Sequence, residues 1–563
     1  MRRFVENLSK TISHPLTVAI LAVAFFCVVR YLDTRWRFMP YTFAVTLAIA
    51  AFFFLLCRRS VFSLYAAGAL VLLLASVSAV KHRLKGFALH FFDFVFTGLD
   101  TSAVSFLAQH YSGILFAALL ILTLVLVVLA FVYSNEKPLK LHWGLRSGAL
   151  AAGIALSVAL FPSPRPREPA YLPYIDGYNA SAFFISLGDI SWPLGSVELG
   201  KRLAATQSVG EALEATPECG QARNMPDVAM ILMESTTNPA IFPQLRTPAA
   251  LQASFQSFDG KERALYVENY GGGTWISNFS AMTGLSSTDF GWQASYLTHF
   301  MEGRIRGSLP EVLAACGYRT VTVMPMRSSF VNEGPFLQSI GFQEIHDADT
   351  MRLEPTATSD RPYFDYARKL VAEHRATDGR PLFLAMQTLV AHGPYDTPLV
   401  PESEVPATVF AEDAGANEYM RRVVASRGYL EAFLEALKAD AGDRGTIAVE
   451  FGDHQSEATM PYLQQLLDGQ GLYSDFRALT YRTYVAVHGF GAELDATVFD
   501  EAIDIGYLAP TLIEAANLPT SPMFRHLSEV RRACGGRYHT CEQRDLVDAH
   551  LKMRANSGML VLD

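Results

Sequence analysis

Hydrophobic and polar positions divide this chain in two. Up to about residue 165 the apolar positions come in long runs. Five of them, roughly 15–32, 40–57, 62–80, 112–133 and 146–162, suit the ~20 apolar residues of a bilayer-crossing helix. A cleavable leader has one such run and then stops, so five in succession predict a helical membrane domain over 1–165. The stretch 86–110 is apolar but broken by Asp93, Gly98 and Asp100, and reads as interfacial rather than spanning. Prolines in "FPSPRPREPAYLP" (161–173) favour an extended connection, and a linker with connecting helices is expected over 166–225.

From 226 to 563 the pattern changes to short apolar runs alternating with amphipathic ones. "DVAMILMES" (227–235), "YRTVTVMP" (318–325), "PLFLAMQTL" (381–389), "GTIAVEFGD" (445–453) and "TYVAVHG" (483–489) read as buried strands. Helical patterns such as "SLPEVLAACG" (308–317) and "YLEAFLEALKAD" (429–440) lie between them. This alternation predicts an α/β domain with a mainly parallel sheet flanked by helices. Ligands of such sheets bind at the carboxyl ends of the strands.

Charge adds an orientation. Arg2, Arg3 and Lys10 precede the first span, Arg58 and Arg59 follow the second, and Lys137, Lys140 and Arg146 lie near the fourth and fifth. Placing them on the cytoplasmic side puts the N-terminus inside and the second domain outside; "KHRLK" (81–85) runs against this arrangement. The net charge of -9 over 563 residues excludes a nucleic-acid partner, which needs a dense basic surface. Cys534 and Cys541 flank "CGGRYHTC" and either form a small disulfide or remain thiols; Cys219 and Cys316 are expected to be unpaired.

The strand ends carry the candidate chemistry. Glu234 ends the first strand, Asp453 and His454 end the fourth, and the third runs into "VAHGPY" with His392. Carboxylates and imidazoles gathered at one sheet edge suit Zn²⁺ or Mn²⁺. Each residue alone is commonplace: a Glu after an apolar run is usually solvated, and "GDH" is a common turn. In "YGGGTWISNFSAMTGL" (270–285) a glycine run leads into a helical pattern, so Thr274 stands at a helix start. Two readings stay open, an N-cap or a nucleophile placed where the helix terminus favours an anion. A threonine hydroxyl attacks only when a base or a metal activates it.

Together, "ILMEST", "GGGTWISNFSAMTGL", "AHGPY", "FGDHQ" and "YLAPTLIEAANLP" resemble the alkaline phosphatase and sulfatase superfamily, in particular its lipoteichoic acid synthase and phosphoglycerol transferase group. The resemblance implies that Glu234, Thr274, Asp453 and His454 bind one catalytic metal ion, Mn²⁺ or Zn²⁺. It implies that Thr274 is the nucleophile and that His392 contacts the phosphate or leaving group. Arg327, Asn332, Glu333 and Trp275 are further candidates for substrate contacts. A sulfatase needs a Cys or Ser in a C/S-x-P-x-R motif, which the "TWISNF" stretch lacks. Where lipoteichoic acid synthases carry an "SFWNRD"-like loop, this chain has Val331 and Glu333, and a carboxylate at 333 would suit a cationic head group. The extra histidines that hold a second metal in phosphoethanolamine transferases are missing from "DHQSEATMPY", so one tight ion is expected.

The resemblance therefore implies a multi-pass protein of the bacterial inner membrane with its catalytic domain outside. It would move phosphoglycerol or phosphoethanolamine from a membrane phospholipid to an envelope glycan or lipid. The alternatives are a phosphodiesterase with water as acceptor, and an inactive envelope scaffold.

Overall fold

The computed structural model describes residues 11–33, 36–85, 87–97, 108, 112–162, 174, 177–189, 198–205, 212–214, 216–219, 225–353, 359–468 and 478–562. The chain forms two compact units, Met1–Leu194 and Gly195–Asp563.

The first unit is built on α1 (Pro15–Leu32), α2 (Met39–Cys57), α3 (Ser60–Lys85), α4 (Ser112–Asn135) and α5 (Trp143–Ala159). Among the described residues, four helices are long and apolar enough to cross a membrane: Pro15–Leu32, Trp36–Cys57, Ser60–Arg83 and Ser112–Asn135. The expected fifth span is a shorter helix of 17 residues, about 25 Å long at the usual rise per residue. It starts before the expected boundary, where His142 Nδ1 accepts from Gly144 N at 3.1 Å. It stops at Ala159, ahead of Pro162, which disfavours helix in the residue before it.

Specific polar contacts fix the ends of this unit. The Glu136 carboxylate accepts from Val61 N (3.0 Å) and Phe62 N (2.7 Å), satisfying the free amides at the start of α3. Arg59 Nε donates to Glu136 O at 2.9 Å, and Arg146 Nη1 donates to Leu55 O at 2.6 Å. The turn between α2 and α3 therefore lies at the same end of this unit as Glu136 and the start of α5. At the other end of the helices, Asp33 Oδ1 accepts from Ala180 N (2.7 Å) and Ser181 N (3.2 Å), and Tyr41 OH donates to Phe184 O (2.8 Å). Phe87, Ala88, Leu89, His90 and Phe92 are buried within this unit. That part of the expected interfacial stretch is covered by protein; residues 98–107 lie outside the described residues.

The second unit centres on one eight-stranded sheet in the order β4-β3-β5-β1-β6-β7-β2-β8. The strands are β1 (Asp227–Met233), β2 (Arg263–Tyr266), β3 (Arg319–Val323), β4 (Glu344–His346), β5 (Leu382–Gln387), β6 (Thr446–Gly452), β7 (Arg482–Phe490) and β8 (Ile503–Asp504). From β4 to β6 all pairings are parallel; β7 is antiparallel to both β6 and β2. The five anticipated strands are present, whereas the short strands β2, β4 and β8 carried too few residues to show a period.

Alternation along β1 builds two cores. Val228, Met230 and Leu232 pack with Phe279, Leu508, Phe524 and Leu551, while Ala229, Ile231 and Met233 pack with Tyr363, Tyr419 and Phe433. The first layer includes α6 (Thr274–Thr283), α10 (Leu508–Ala515), α11 (Pro522–Ala533) and α12 (Arg544–Asn556). The other includes α8 (Arg361–Thr377) and α9 (Ala414–Ala439), and α7 (Leu309–Ala315) precedes β3. All seven residues of β1 and of β6 are buried, which is why these strands read as continuous apolar runs.

Two disulfides staple this unit. Cys534 pairs with Cys541. Cys219 pairs with Cys316, contrary to the expectation that both are unpaired. Their separation of 97 positions leaves no local spacing signal; folding brings the 216–219 segment to the residue that follows α7.

Candidate active site

Glu234 follows β1 and Asp453 follows β6, two neighbouring parallel strands whose last residues, Met233 and Gly452, are in register. The two carboxylates are thereby delivered side by side. The turn after β1 crosses the end of β6 so closely that a Cβ on Gly452 would lie 1.8 Å from Thr236 O. Only glycine allows that approach. Ser235, at φ 51, turns the chain, and its N–H donates to Asp453 Oδ1 at 2.7 Å. Glu234 N donates to Thr388 Oγ1 at 2.9 Å, which ties the turn to the end of β5.

Glu234, Asp453 and His454 are all buried and offer ligand atoms within 4.8 Å of one another. His454 Nδ1 lies 3.0 Å from Gln455 O, so that nitrogen carries the proton and donates. Its Nε2 then faces Asp453 Oδ2 at 3.2 Å and Glu234 Oε1 at 3.6 Å. A lone pair opposite two carboxylate oxygens suits a shared cation. Asp453 Oδ2 is buried and accepts no hydrogen bond among the described residues. Burial, and then the charge of Glu234, push the Asp453 pKa well up. Burial acts on Glu234 in the same direction, but His392 and His454, when protonated in the absence of an ion, and the Ser235 and Thr274 hydroxyls outweigh it and hold its pKa down. Two carboxylates, one imidazole nitrogen and an adjacent hydroxyl thus fit one divalent ion of the Zn²⁺ or Mn²⁺ kind.

Thr274 completes the group. The N-cap of α6 is Gly273, at φ 92, and Thr274 is the first helical residue. The Thr274 hydroxyl makes no capping bond; it donates to Glu234 Oε2 at 2.8 Å. Of the two readings of this threonine, the structure removes the cap. Thr274 is half-buried, on the open side of the fully buried carboxylates. The helix start is held by Ser277, whose hydroxyl donates to Asp453 O at 2.6 Å, and by Asn269, whose amide donates to Gly272 O and Gly273 O, each at 3.0 Å.

His392 lies in the loop after β5, near enough for its charge to act on Glu234. Three residues with no sequence signal position this loop. Arg422 on α9 donates to His392 O (2.7 Å), Pro394 O (3.0 Å) and Thr397 O (2.9 Å), while Glu418 accepts from its Nε at 2.9 Å. Asp360 Oδ1 accepts from Leu389 N (2.7 Å) and Val390 N (2.9 Å).

The remaining candidates sit differently. Trp275 adjoins Thr274, and its Nε1 donates to Ser295 O at 3.3 Å. Arg327 pairs with Asp349 at 3.0 Å on an exposed surface. Asn332 Nδ2 donates to Thr298 O (3.0 Å) and Glu302 Oε2 (2.7 Å). Glu333 is 3% exposed, and its Oε1 accepts from Asn278 of α6 (2.7 Å) and Gln387 of β5 (2.9 Å). A carboxylate so enclosed braces α6 against the sheet. The "SFVNEG" spacing gave no sign that Glu333 turns inward.

A mainly parallel α/β sheet with an acidic, metal-suited cluster and a hydroxyl at its carboxyl edge defines the class of protein. Residues 226–513 match the Sulfatase family, and the chain belongs to that family, in agreement with the resemblance of its motifs. An uncharacterized protein of Haemophilus influenzae is 26% identical over 243 residues, 41% of this chain and 44% of that protein. The chain thus spans less than half the length of that curated relative. Among solved structures, a phosphoglycerol transferase of Streptococcus pyogenes in complex with sn-glycerol-1-phosphate shares 15% identity at a TM-score of 0.48, covering 65% of this chain and 91% of that one. The integral membrane lipooligosaccharide phosphoethanolamine transferase A of Neisseria meningitidis shares 13% identity at a TM-score of 0.49, covering 86% of this chain and 95% of that one.

Proposed function

We propose that this protein is a membrane-anchored, metal-dependent transferase. It takes a phospho-head group, phosphoglycerol or phosphoethanolamine, from a membrane phospholipid and passes it to an envelope glycan or lipid through a phospho-threonine intermediate at Thr274. The observation that carries this reading is the Thr274 hydroxyl, donated to Glu234 inside the Glu234–Asp453–His454 cluster.

Glu234, Asp453, His454 and Thr274 would hold the ion, Mn²⁺ or Zn²⁺. Bound there, the ion supplies positive charge that eases ionisation of the hydroxyl and offsets charge on the phosphoryl oxygens. The Thr274 proton leaves along the hydrogen bond it already makes to Glu234 Oε2. Thr274 Oγ1 attacks phosphorus, the bond from phosphorus to the glyceride oxygen breaks, and His392 delivers a proton to that departing oxygen. The acceptor hydroxyl then gives its proton to the His392 imidazole and attacks the same phosphorus, the bond to Thr274 Oγ1 breaks, and the threonine regains its proton from Glu234. The start of α6 presents amide groups that favour an anionic phosphate beside Thr274. Trp275, Arg327 and Asn332 are the side chains through which a head group would be selected.

A catalytic unit on the same chain as apolar membrane helices stays near the lipid that supplies the donor, which raises its effective concentration. Two features support an inner-membrane protein with this unit outside. Arg59 and Arg146 gather at one end of the helical unit, in line with a cytoplasmic face there. Both disulfides belong to the catalytic unit, as an oxidising compartment permits.

The test is intact-protein and peptide mass spectrometry of the full chain in detergent, incubated with Mn²⁺ or Zn²⁺ and mixed bacterial phospholipids. An adduct on Thr274 whose mass names the head group, absent from Thr274→Ala, supports the reading. Release of a free head-group phosphate that no glycan or lipid acceptor captures would make the protein a phosphodiesterase. No adduct and no turnover with either metal would overturn both.

A further inference from the structure

Residues 514–563 lie beyond the segment that matches the family, yet their side chains reach the helix that carries Thr274. His539 sits in the loop closed by Cys534–Cys541. Its Nε2 lies 3.2 Å from Glu268 Oε1, just after β2. The other oxygen of Glu268 accepts from Ser280 Oγ of α6 at 2.9 Å and from Ser287 N and Oγ, beyond the end of α6, at 2.7 and 2.5 Å. His539 Nδ1 lies 3.2 Å from Thr288 Oγ1. Arg554 of α12, fully buried, donates from Nη1 to Thr283 O at 2.9 Å, the last residue of α6.

The loop itself is fixed in turn. Asp504 Oδ2 accepts from Tyr538 N (2.6 Å) and His539 N (3.2 Å), and Asp289 accepts from Tyr538 OH and from Arg544 Nη2 (2.7 Å). Burial lowers the His539 pKa, but the facing Glu268 carboxylate and the charges of Asp504 and Asp289 outweigh that and raise it. Burial raises the Glu268 pKa, while His539 and the serine donors outweigh it and hold it down. The two groups therefore face each other as an ion pair at 3.2 Å, buried on both sides.

We propose that His539, in its disulfide-closed loop, and Arg554 clamp α6 from behind and so set the position of Thr274 against Glu234. Both are positioning residues: neither touches the reacting atoms. The clamp rests on the proposed function only for its activity readout. A helix free to slide by a fraction of a turn would carry the Thr274 oxygen out of line, and misplacement of about 1 Å costs ~100-fold in rate.

The experiment uses the full chain in detergent as wild type, His539→Ala, His539→Gln, Arg554→Met and the Cys534→Ser/Cys541→Ser pair. Hydrogen exchange is followed in peptides covering 274–283 and, as an internal reference, 382–387 of β5. The expected result is exchange in 274–283 faster by about tenfold in His539→Ala, Arg554→Met and the cysteine pair, with β5 unchanged, because local opening is governed by local contacts. His539→Gln, which keeps a donor toward Glu268, recovers most of the protection. With Mn²⁺ and bis(p-nitrophenyl) phosphate, kcat falls about 10- to 100-fold in the same variants at unchanged KM. Unchanged exchange in 274–283, or an equal rise in β5, overturns the clamp. If wild type shows neither turnover nor a Thr274 adduct, the function proposed above fails while the exchange comparison still decides the clamp.

Discussion

At the scale of single residues, two positions govern the site by what they omit or point toward. Gly452 has no side chain where the 234–237 turn crosses β6, and a methyl there meets Thr236 O at 1.8 Å. Gly452→Ala is expected to cost at least about 3 kcal/mol, the upper range for overpacking. Because the strain falls between Glu234 and Asp453, Zn²⁺ affinity measured by calorimetry should fall with it; unchanged affinity would show that the turn yields without moving the ligands. Thr274 points toward Glu234 because Gly273 takes the capping position at positive φ. The residue types of the Glu234–Asp453–His454 cluster and their places at strand ends were legible in the chain. The inward turn of Glu333 and the Cys219–Cys316 pairing were not. Local spacing reports the neighbours of a residue along an element, whereas these contacts depend on which distant element packs beside it.

At the scale of elements, α9 does two tasks. Arg422 in its first half gathers the His392 loop, and about a turn and a half later Arg427 locks the helix to the sheet. Arg427 bonds Glu450, Tyr484 Oη (2.8 Å) and Ser254 Oγ (3.1 Å), and both Arg427 and Glu450 are buried. Arg427→Met strands the Glu450 carboxylate. It should cost about 3–5 kcal/mol in urea unfolding followed by tryptophan fluorescence. A loss under about 1 kcal/mol would mean His488 and Tyr484 compensate. The helical pattern at 429–440 showed only the last part of α9, because its earlier turns bury charged side chains and so break the apolar stripe.

A second pair joins α11 to α12. His526 and His550 are near-parallel, with Nδ1 atoms 2.9 Å apart, so one proton is shared along that edge. Burial, then Arg554 and His526, push the His550 pKa well down; burial lowers that of His526. A depressed folded-state pKa means the unfolded chain binds more protons, so stability is full above about pH 6.5 and falls as pH drops below it. The expected slope is about 1.4 kcal/mol per pH unit for each proton taken up. Thermal midpoints between pH 8 and 5 should show this fall, and His550→Leu should flatten it. A variant as pH-sensitive as wild type would place the effect elsewhere.

At the scale of the whole molecule, a divalent ion that binds the folded cluster stabilises the catalytic unit by mass action, by about 2.7 kcal/mol at 100 times its dissociation constant. Stripping the chain with a chelator should lower the thermal midpoint of this unit, and readdition of Mn²⁺ or Zn²⁺ should restore it. A midpoint indifferent to chelation would argue against an ion at Glu234, Asp453 and His454.

The bond from Ser235 N to Asp453 Oδ1 spans 218 positions. That separation dictates an order of assembly. While the ribosome is still adding residues after β5, Glu234 and Thr274 already exist, but an ion would find half a cradle, with Asp453 and His454 still to come. Contacts this distant in sequence close late and slowly. Nascent chains halted before residue 453 should retain no ion, whereas those extended past β7 should. An ion at Glu234, Asp453 and His454 would thus be a seal set on a nearly finished fold, not the seed around which it grows.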